Sequence, residues 1–312
     1  MLQVTSDDFA LAFGVAAEDL PADCRSKILE HDFRFEPAPP EEHSRLVLET
    51  LKTLDGGELV KVGSHRKAVW ERGWSENLRE FVAADYNLES LLPKYYNNAH
   101  PYLRLRRQYI KPVDPSFEVN FYTVLRMWLF RRYLTDIQNV YELGAGTGLN
   151  LAMLAQLFPE KNLYGLDWAS ASKDILTALS KRYGWRITGY EFDLFHPDPD
   201  FELAQNSAVL TTTALEQLGH EHGPLLDYLL RQAPAVCINV EPIVELYQDE
   251  HLLDSLAMRY HRQRGYLENY LPTLRQLEQE GKIELLCVQR PYFGGFFNES
   301  YSIVVWKPRA AR

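Results

Sequence analysis

Residues 140–150 read VYELGAGTGLN, and no other stretch limits the fold of this chain as much. Val140, Tyr141, Glu142 and Leu143 form a short run suited to a buried strand. Gly144, Gly146 and Gly148 follow at alternate positions, and Asn150, Leu151 and Leu154 then open a helical spacing. Strand, glycine turn and helix in that order make a ligand-binding corner of an α/β sheet. Glycine lets the backbone turn tightly and approach a ligand, and the helix start presents N–H groups with no internal partner. The spacing discriminates among ligands. A dinucleotide fingerprint, G-x-G-x-x-G, would put glycine at 149, where Leu149 stands. The pattern here is E-x-G-x-G-x-G, with Glu142 two residues before the first glycine. An acid there suits a ligand with an amino group better than a pyrophosphate.

The rest of the chain divides near Pro112–Pro115, because proline disfavours helix at the preceding residue. Before the division helical patterns dominate. Leu46, Val47, Leu51 and Leu54 share one face over 44–54, and 77–84 also reads as helix. Residues 58–74 are ambiguous, with a short strand open at 59–62, and 36–42 (EPAPPEE) reads as a loop. Phe117–Tyr133 is a long amphipathic helix ending in Arg131 and Arg132, where cations favour the helix dipole. Strand candidates then fall at 139–143, 162–166, 187–192, 207–212, 235–240, 283–289 and 300–306. Helices are expected between them at 149–157, 170–182, 223–231 and 247–279. This alternation predicts an α/β, doubly wound, mostly parallel sheet. The last two strands are joined by residues 291–299, too short for a helix, so they should be antiparallel neighbours.

The glycine stretch resembles the first motif of class I S-adenosylmethionine-dependent methyltransferases. The resemblance implies S-adenosyl-L-methionine as cofactor, a Rossmann-like seven-stranded doubly wound sheet and an antiparallel C-terminal hairpin. It further implies that Glu142, Gly144, Ala145, Gly146, Gly148 and Asn150 hold the methionine part. Asp167 in LYGLDWA, nineteen residues after Gly148, resembles the acid that binds the ribose hydroxyls, with Trp168 beside it. A carboxylate accepts two hydroxyl hydrogen bonds well. Asp193 in YEFDLF, with Leu194, resembles the acid near the adenine; Thr211 and Tyr109 complete the expected cofactor set. The domains expected are a mainly helical lid or substrate domain at 1–114 and the cofactor-binding domain at 115–312.

Net charge is −10 and the pI about 5.4, which disfavours a general nucleic-acid binder. No run of about 18 apolar residues is present, so no membrane span is expected. Asp7, Asp8 and Glu18 stand where a secretory signal would be basic, and three scattered cysteines, Cys24, Cys237 and Cys287, fit a reducing cytoplasm. The partner expected is a small molecule, with a homodimer left open.

Candidates for chemistry follow the strands. After the fourth comes TTTALEQLGHEHG, with Glu216, His220 and His222. It resembles a small-molecule methyltransferase loop in which a Glu-His pair follows strand 4, although Gln217 stands where that histidine would. His220 or His222 would be the general base, oriented by Glu216, since a histidine near neutral pKa can take a hydroxyl proton. The same three residues could ligate a metal, but none is expected. Glu241 in NVEPIVELY and His261 in AMRYHRQRGYL are further candidates. An N-terminal lid could add Tyr95, Tyr96, Arg104 or Tyr109, and the hairpin loop PYFGGFFNESY could close aromatics over a substrate. LLPKYY, RLRRQYI, FYTVLRMWLF, ELGAGTGLN and LYGLDWA together are similar to sugar O-methyltransferases of natural-product or polysaccharide pathways. The expected activity is O-methylation of a sugar-like or natural-product hydroxyl. The alternative is N-methylation of an amine, amino acid or peptide side chain.

Overall fold

A computed structural model describes residues 1–57, 59–94, 96 and 100–309. In the N-terminal part the elements run β1 (Leu2–Gln3), α1 (Ser6–Phe13), α2 (Ala22–Glu30), β2 (Arg34–Pro37), α3 (Pro40–Asp55), α4 (Lys67–Ala83), β3 (Leu103–Leu105) and β4 (Gln108–Pro112). They continue with α5 (Phe117–Tyr133), β5 (Asn139–Leu143), α6 (Leu149–Leu157), β6 (Asn162–Asp167), α7 (Ser170–Tyr183), β7 (Ile187–Glu191), β8 (Ser207–Thr212) and α8 (Gly223–Gln232). The chain ends with β9 (Val236–Glu241), α9 (Leu252–Arg264), α10 (Tyr270–Gln279), β10 (Ile283–Gln289), β11 (Phe293–Gly294) and β12 (Ser302–Pro308).

Seven strands form one sheet in the order β10-β12-β9-β8-β5-β6-β7. The pairs from β9 to β7 are parallel, and β12 runs antiparallel to both β10 and β9. Both faces are covered, so the strands are apolar at successive positions. Val140, Leu210, Ile238 and Ile303 point into one cluster with α5, α6 and α7. Their neighbours Tyr141, Val209, Cys237 and Val304 point into a second with α8 and α10. The order reverses between β5 and β8, the switch point at which open α/β sheets bind ligands. Register puts Leu143 opposite both Leu166 and Thr211. Three strands therefore stop at one level and raise Glu142, Asp167 and Thr212 around a common opening.

The N-terminal part carries the four helices α1, α2, α3 and α4, and it also holds strands that its sequence pattern does not predict. It contributes four short antiparallel strands to a second sheet, β1-β2-β4-β3-β11. The fifth, β11, comes from the C-terminal hairpin loop and pairs Phe293 with Leu105. Strands of two to five residues carry too little alternation to stand out, and their pairing spans most of the chain. Buried side chains on both sides of residue 114 share one core: Phe9 and Phe13 pack on Phe121, and Phe121 stacks on Phe293 at 3.9 Å.

Two polar attachments set the walls of the opening. Glu71 of α4 accepts from the N–H groups of Ser170 (2.7 Å) and Ala171 (3.2 Å), so it satisfies free donors at the start of α7. Arg290, 6% exposed, donates two bonds to Asp254 (2.8 and 2.6 Å), one to Glu299 (2.6 Å) and one to the Leu246 carbonyl (2.9 Å). It thereby ties the hairpin loop to α9. The helix expected over 247–279 is broken into α9 and α10 by Gly265 (φ 65°) and Asn269 (φ 62°), both left-handed. Apolar spacing continues through the break, which is why the sequence pattern reads as one helix.

Candidate active site

A cavity of about 680 Å³ lies over the C-terminal ends of β5, β6 and β8. Small-molecule pockets typically enclose about 300–1,000 Å³. Its floor is the glycine turn. Gly144 and Gly148 have φ of 74° and 73°, and a Cβ on either would lie 2.5 Å from Ala214 Cβ or Leu176 Cδ2. Neither conformation nor space admits a side chain there.

Glu142 is 2% exposed and lines the cavity. Its Oε1 accepts from Asn150 Nδ2 at 2.5 Å. Arg126 Nη1 donates to Asn150 Oδ1 at 2.9 Å, so a buried guanidinium fixes which way the amide points. Glu142 Oε2 is buried with no hydrogen-bond partner. Burial pushes this carboxyl up to about 8, against the opposing pull of Asn150 and Arg126. An unpaired acceptor of this kind fits a ligand ammonium group. Asp167, at the end of β6, accepts from Gly146 N and Ala169 N, both at 2.9 Å. Burial raises it to about 6, opposed by those backbone bonds. Each oxygen keeps a second lone pair, as a pair of ligand hydroxyls would require. Ala145, Trp168 and Leu194 also line the cavity, and Trp168 stacks on Phe195 at 5.7 Å.

Across the cavity the loop after β8 carries Glu216. Thr213 in that loop has φ 48°, a left-handed conformation uncommon outside glycine. Glu241, fully buried at the end of β9, accepts from Ala214 N (3.1 Å), Leu215 N (3.2 Å) and Glu216 N (3.3 Å). Its carboxyl is raised to about 8 by burial and by neighbouring Glu216. Glu216 Oε1 accepts from Gln217 Nε2 (3.1 Å), and Gln217 Oε1 accepts from Trp70 Nε1 (3.3 Å). Burial raises Glu216 to about 7, with Arg264 and Arg66 pulling it down. A carboxylate held near neutrality suits proton abstraction. A second group faces the cavity: Tyr301 Oη donates to Glu118 at 3.0 Å and lies 3.2 Å from Tyr96 Oη.

Several expected residues lie elsewhere. None of His220, His222 and His261 lines the cavity. His220 is exposed, with Nε2 3.3 Å from Glu268 Oε2. His222 bonds the Glu268 carbonyl at 3.1 Å, and fully buried His261 bonds the Leu267 carbonyl at 2.6 Å. Desolvation lowers His261 to about 4, which keeps it neutral. Packing against residues 267–268 draws the three rings away from the strand ends. Thr211 points into the sheet and accepts from Asn239; Thr212, one residue on, lines the cavity because side chains alternate along a strand. Asp193 turns back onto the Phe195 N–H at 2.9 Å, leaving Leu194 and Phe195 at the wall. Tyr109 is buried behind Phe296, bonded to Thr50 and stacked on the Phe296 ring. Arg104 is likewise buried, donating to the carbonyls of Phe296 and Leu253. Tyr95 lies outside the described residues. Among the described residues, no group of three His, Cys, Asp or Glu side chains is placed to hold a metal ion, and no helix is long and apolar enough to cross a membrane.

The sequence pattern assigns no role to other cavity residues: Trp70 and Trp74 on α4, Glu118 and Tyr122 on α5, and Arg264 and Tyr266 at the α9 break. Only the clustering of Trp70, Trp74 and Arg66 within nine residues hints at a shared face.

No family model matches the chain, and no curated protein matches it. Solved structures with low-scoring likeness include PigF with SAH (16% identity, TM-score 0.47, covering 85% of this chain and 70% of that one). Geranyl diphosphate methyltransferase in complex with SAM has 12% identity and a TM-score of 0.44, covering 64% and 93%. Magnesium protoporphyrin IX methyltransferase from Synechocystis PCC 6803 with bound SAH has 16% identity and a TM-score of 0.42, covering 60% and 81%.

Proposed function

We propose that this protein is an S-adenosyl-L-methionine-dependent methyltransferase that methylates a hydroxyl of a small polar acceptor, sugar-like or of natural-product type. The observation that carries this is Glu142, which lines a cavity floored by a left-handed glycine turn and whose buried Oε2 has no hydrogen-bond partner. Glu142, steadied by Asn150 and Arg126, would receive the cofactor's ammonium group. Asp167 would receive the ribose hydroxyls. Trp168, Leu194 and Phe195 would enclose the adenine, with Asp193 shaping that turn from behind.

The bound cofactor supplies an activated methyl group on a sulfonium. The protein's work is then to align the acceptor oxygen and exclude water, and proximity of this kind can remove several kcal/mol from a barrier. Glu216 takes the acceptor's proton in place of the histidines, because it is the carboxylate of the acceptor half held near neutrality. Glu241 positions Glu216 by holding its backbone. Methylation of an amine would be favoured by a negative acceptor half. Here Glu241 is occupied by backbone N–H groups and Glu216 has two arginines beside it.

Calorimetry with S-adenosylhomocysteine tests the cofactor assignment. Wild type should bind, and Asp167→Ala should weaken binding by about 100-fold, as expected for two lost charge-assisted bonds. No binding by wild type, or undiminished binding by the variant, would sink it.

A further inference from the structure

Arg66 and Arg264 both line the acceptor half of the cavity. Each has a buried Nε without a hydrogen-bond partner, and neither makes an ion pair within 4.0 Å among the described residues. Both guanidinium groups lie over aromatic rings. Arg66 lies 5.6 Å from the Trp70 ring centroid, and Arg264 lies 5.1 Å from that of Tyr266 and 6.0 Å from that of Tyr260. These cation–π contacts engage the guanidinium groups through the rings and leave their N–H groups without a protein acceptor among the described residues. Glu216 is the carboxylate that feels both arginines. Glu118 forms a separate group with Tyr301, and burial raises its carboxyl. The Arg66–Arg264–Glu216 cluster therefore carries two positive charges against at most one negative. Charge withdrawn from water without compensation is costly, so one further negative group would neutralise the cluster. The surrounding walls are flat: Trp70 stacks on Trp74 at 5.3 Å, and Phe297 stacks on Tyr260 at 4.9 Å and 6°.

We propose that Arg66 and Arg264 form an oxyanion subsite, and that the methyl acceptor is a hydroxylated compound carrying a carboxylate or phosphate on a flat or apolar body. This rests on the methyl-transfer assignment and narrows its substrate class. The arginines take the oxyanion with their N–H edges, the aromatic walls take the body, and the hydroxyl is left beside Glu216.

The test uses the full chain in calorimetry. S-adenosylhomocysteine is titrated first. Failure of wild type to bind it would refute the cofactor assignment and remove the basis of the subsite with it. The saturated protein is then titrated with benzoate against benzamide, and with phenyl phosphate against phenol. At least one anion should bind ten-fold or more tightly than its neutral counterpart; the preferred pair identifies carboxylate or phosphate as the source. Arg66→Gln and Arg264→Gln should each abolish that preference while still binding S-adenosylhomocysteine, which shows that they are folded. Equal binding of anions and neutral counterparts, or a preference unchanged in both variants, would overturn the proposal.

Discussion

Replacing Glu142 with glutamine should move the stability of the unliganded protein and its cofactor affinity in opposite directions. Glu142 is buried, with a carboxyl raised from 4.5 to about 8. An acid whose pKa is raised by folding holds its proton in the native state after the unfolded chain has released it. Stability therefore falls as pH rises from about 4.5 to about 8 and levels off above that. At about 1.4 kcal/mol per pH unit, the interval from 4.5 to pH 7 amounts to roughly 3 kcal/mol. Glutamine keeps the oxygen that accepts from Asn150 Nδ2 and places an NH2 where Oε2 stood, so it imitates the protonated acid without the titration. The variant should match wild type near pH 4.5 and exceed it by roughly 3 kcal/mol at pH 7. Urea unfolding of both proteins at pH 5, 7 and 8.5 reads this difference. With S-adenosylhomocysteine the order reverses: loss of a charge-assisted bond of about 1.5–3 kcal/mol should weaken binding by about 10- to 100-fold. Stability curves that stay parallel across the pH range, or a variant that binds ligand as well as wild type, would refute the reasoning.

Glu216→Gln should lower kcat by about 10²–10⁴-fold, the usual contribution of a general base. The wild-type rate should climb with pH through about 7 and then plateau, since the base works ionised, and the variant should lose that dependence. Arg290→Met should cost about 3–5 kcal/mol, because it leaves Glu299 buried without its cation and Asp254 with only Arg107 at 3.5 Å. Chemical denaturation measures this, and adding Asp254→Asn and Glu299→Gln to the same protein should restore much of the loss.

The glycine turn, the strand–helix alternation and the acids at 142 and 167 were legible because each is a local property. Left-handed glycines, apolar strands and helix starts depend on neighbours a few residues away, so the stretch at 140–150 and LYGLDWA could be read directly. The terminal hairpin could be read from the shortness of residues 291–299, and β12 does pair antiparallel with β10. Boundaries moved by a residue or two, as with β9 at Val236–Glu241, because strand ends depend on pairing partners.

What the sequence by itself determined is thus the α/β sheet, its switch-point turn and the two acids beside it. Apart from Glu216, already a candidate in the sequence, tertiary structure decided the opposite side of the cavity. It withdrew His220, His222 and His261 by bonding them to residues 267–268, and it converted Glu241 from a candidate reactant into an anchor for the Glu216 backbone. It also broke the predicted helix at Gly265, next to Arg264 and Tyr266 at the cavity wall, and carried β11 across to the N-terminal sheet. The physical reason is distance along the chain. A strand or turn is selected by contacts within a few residues, whereas a charge such as that on Arg264 acquires its role from partners some two hundred residues away, among them the Arg66–Trp70 face of α4 and the turn before it.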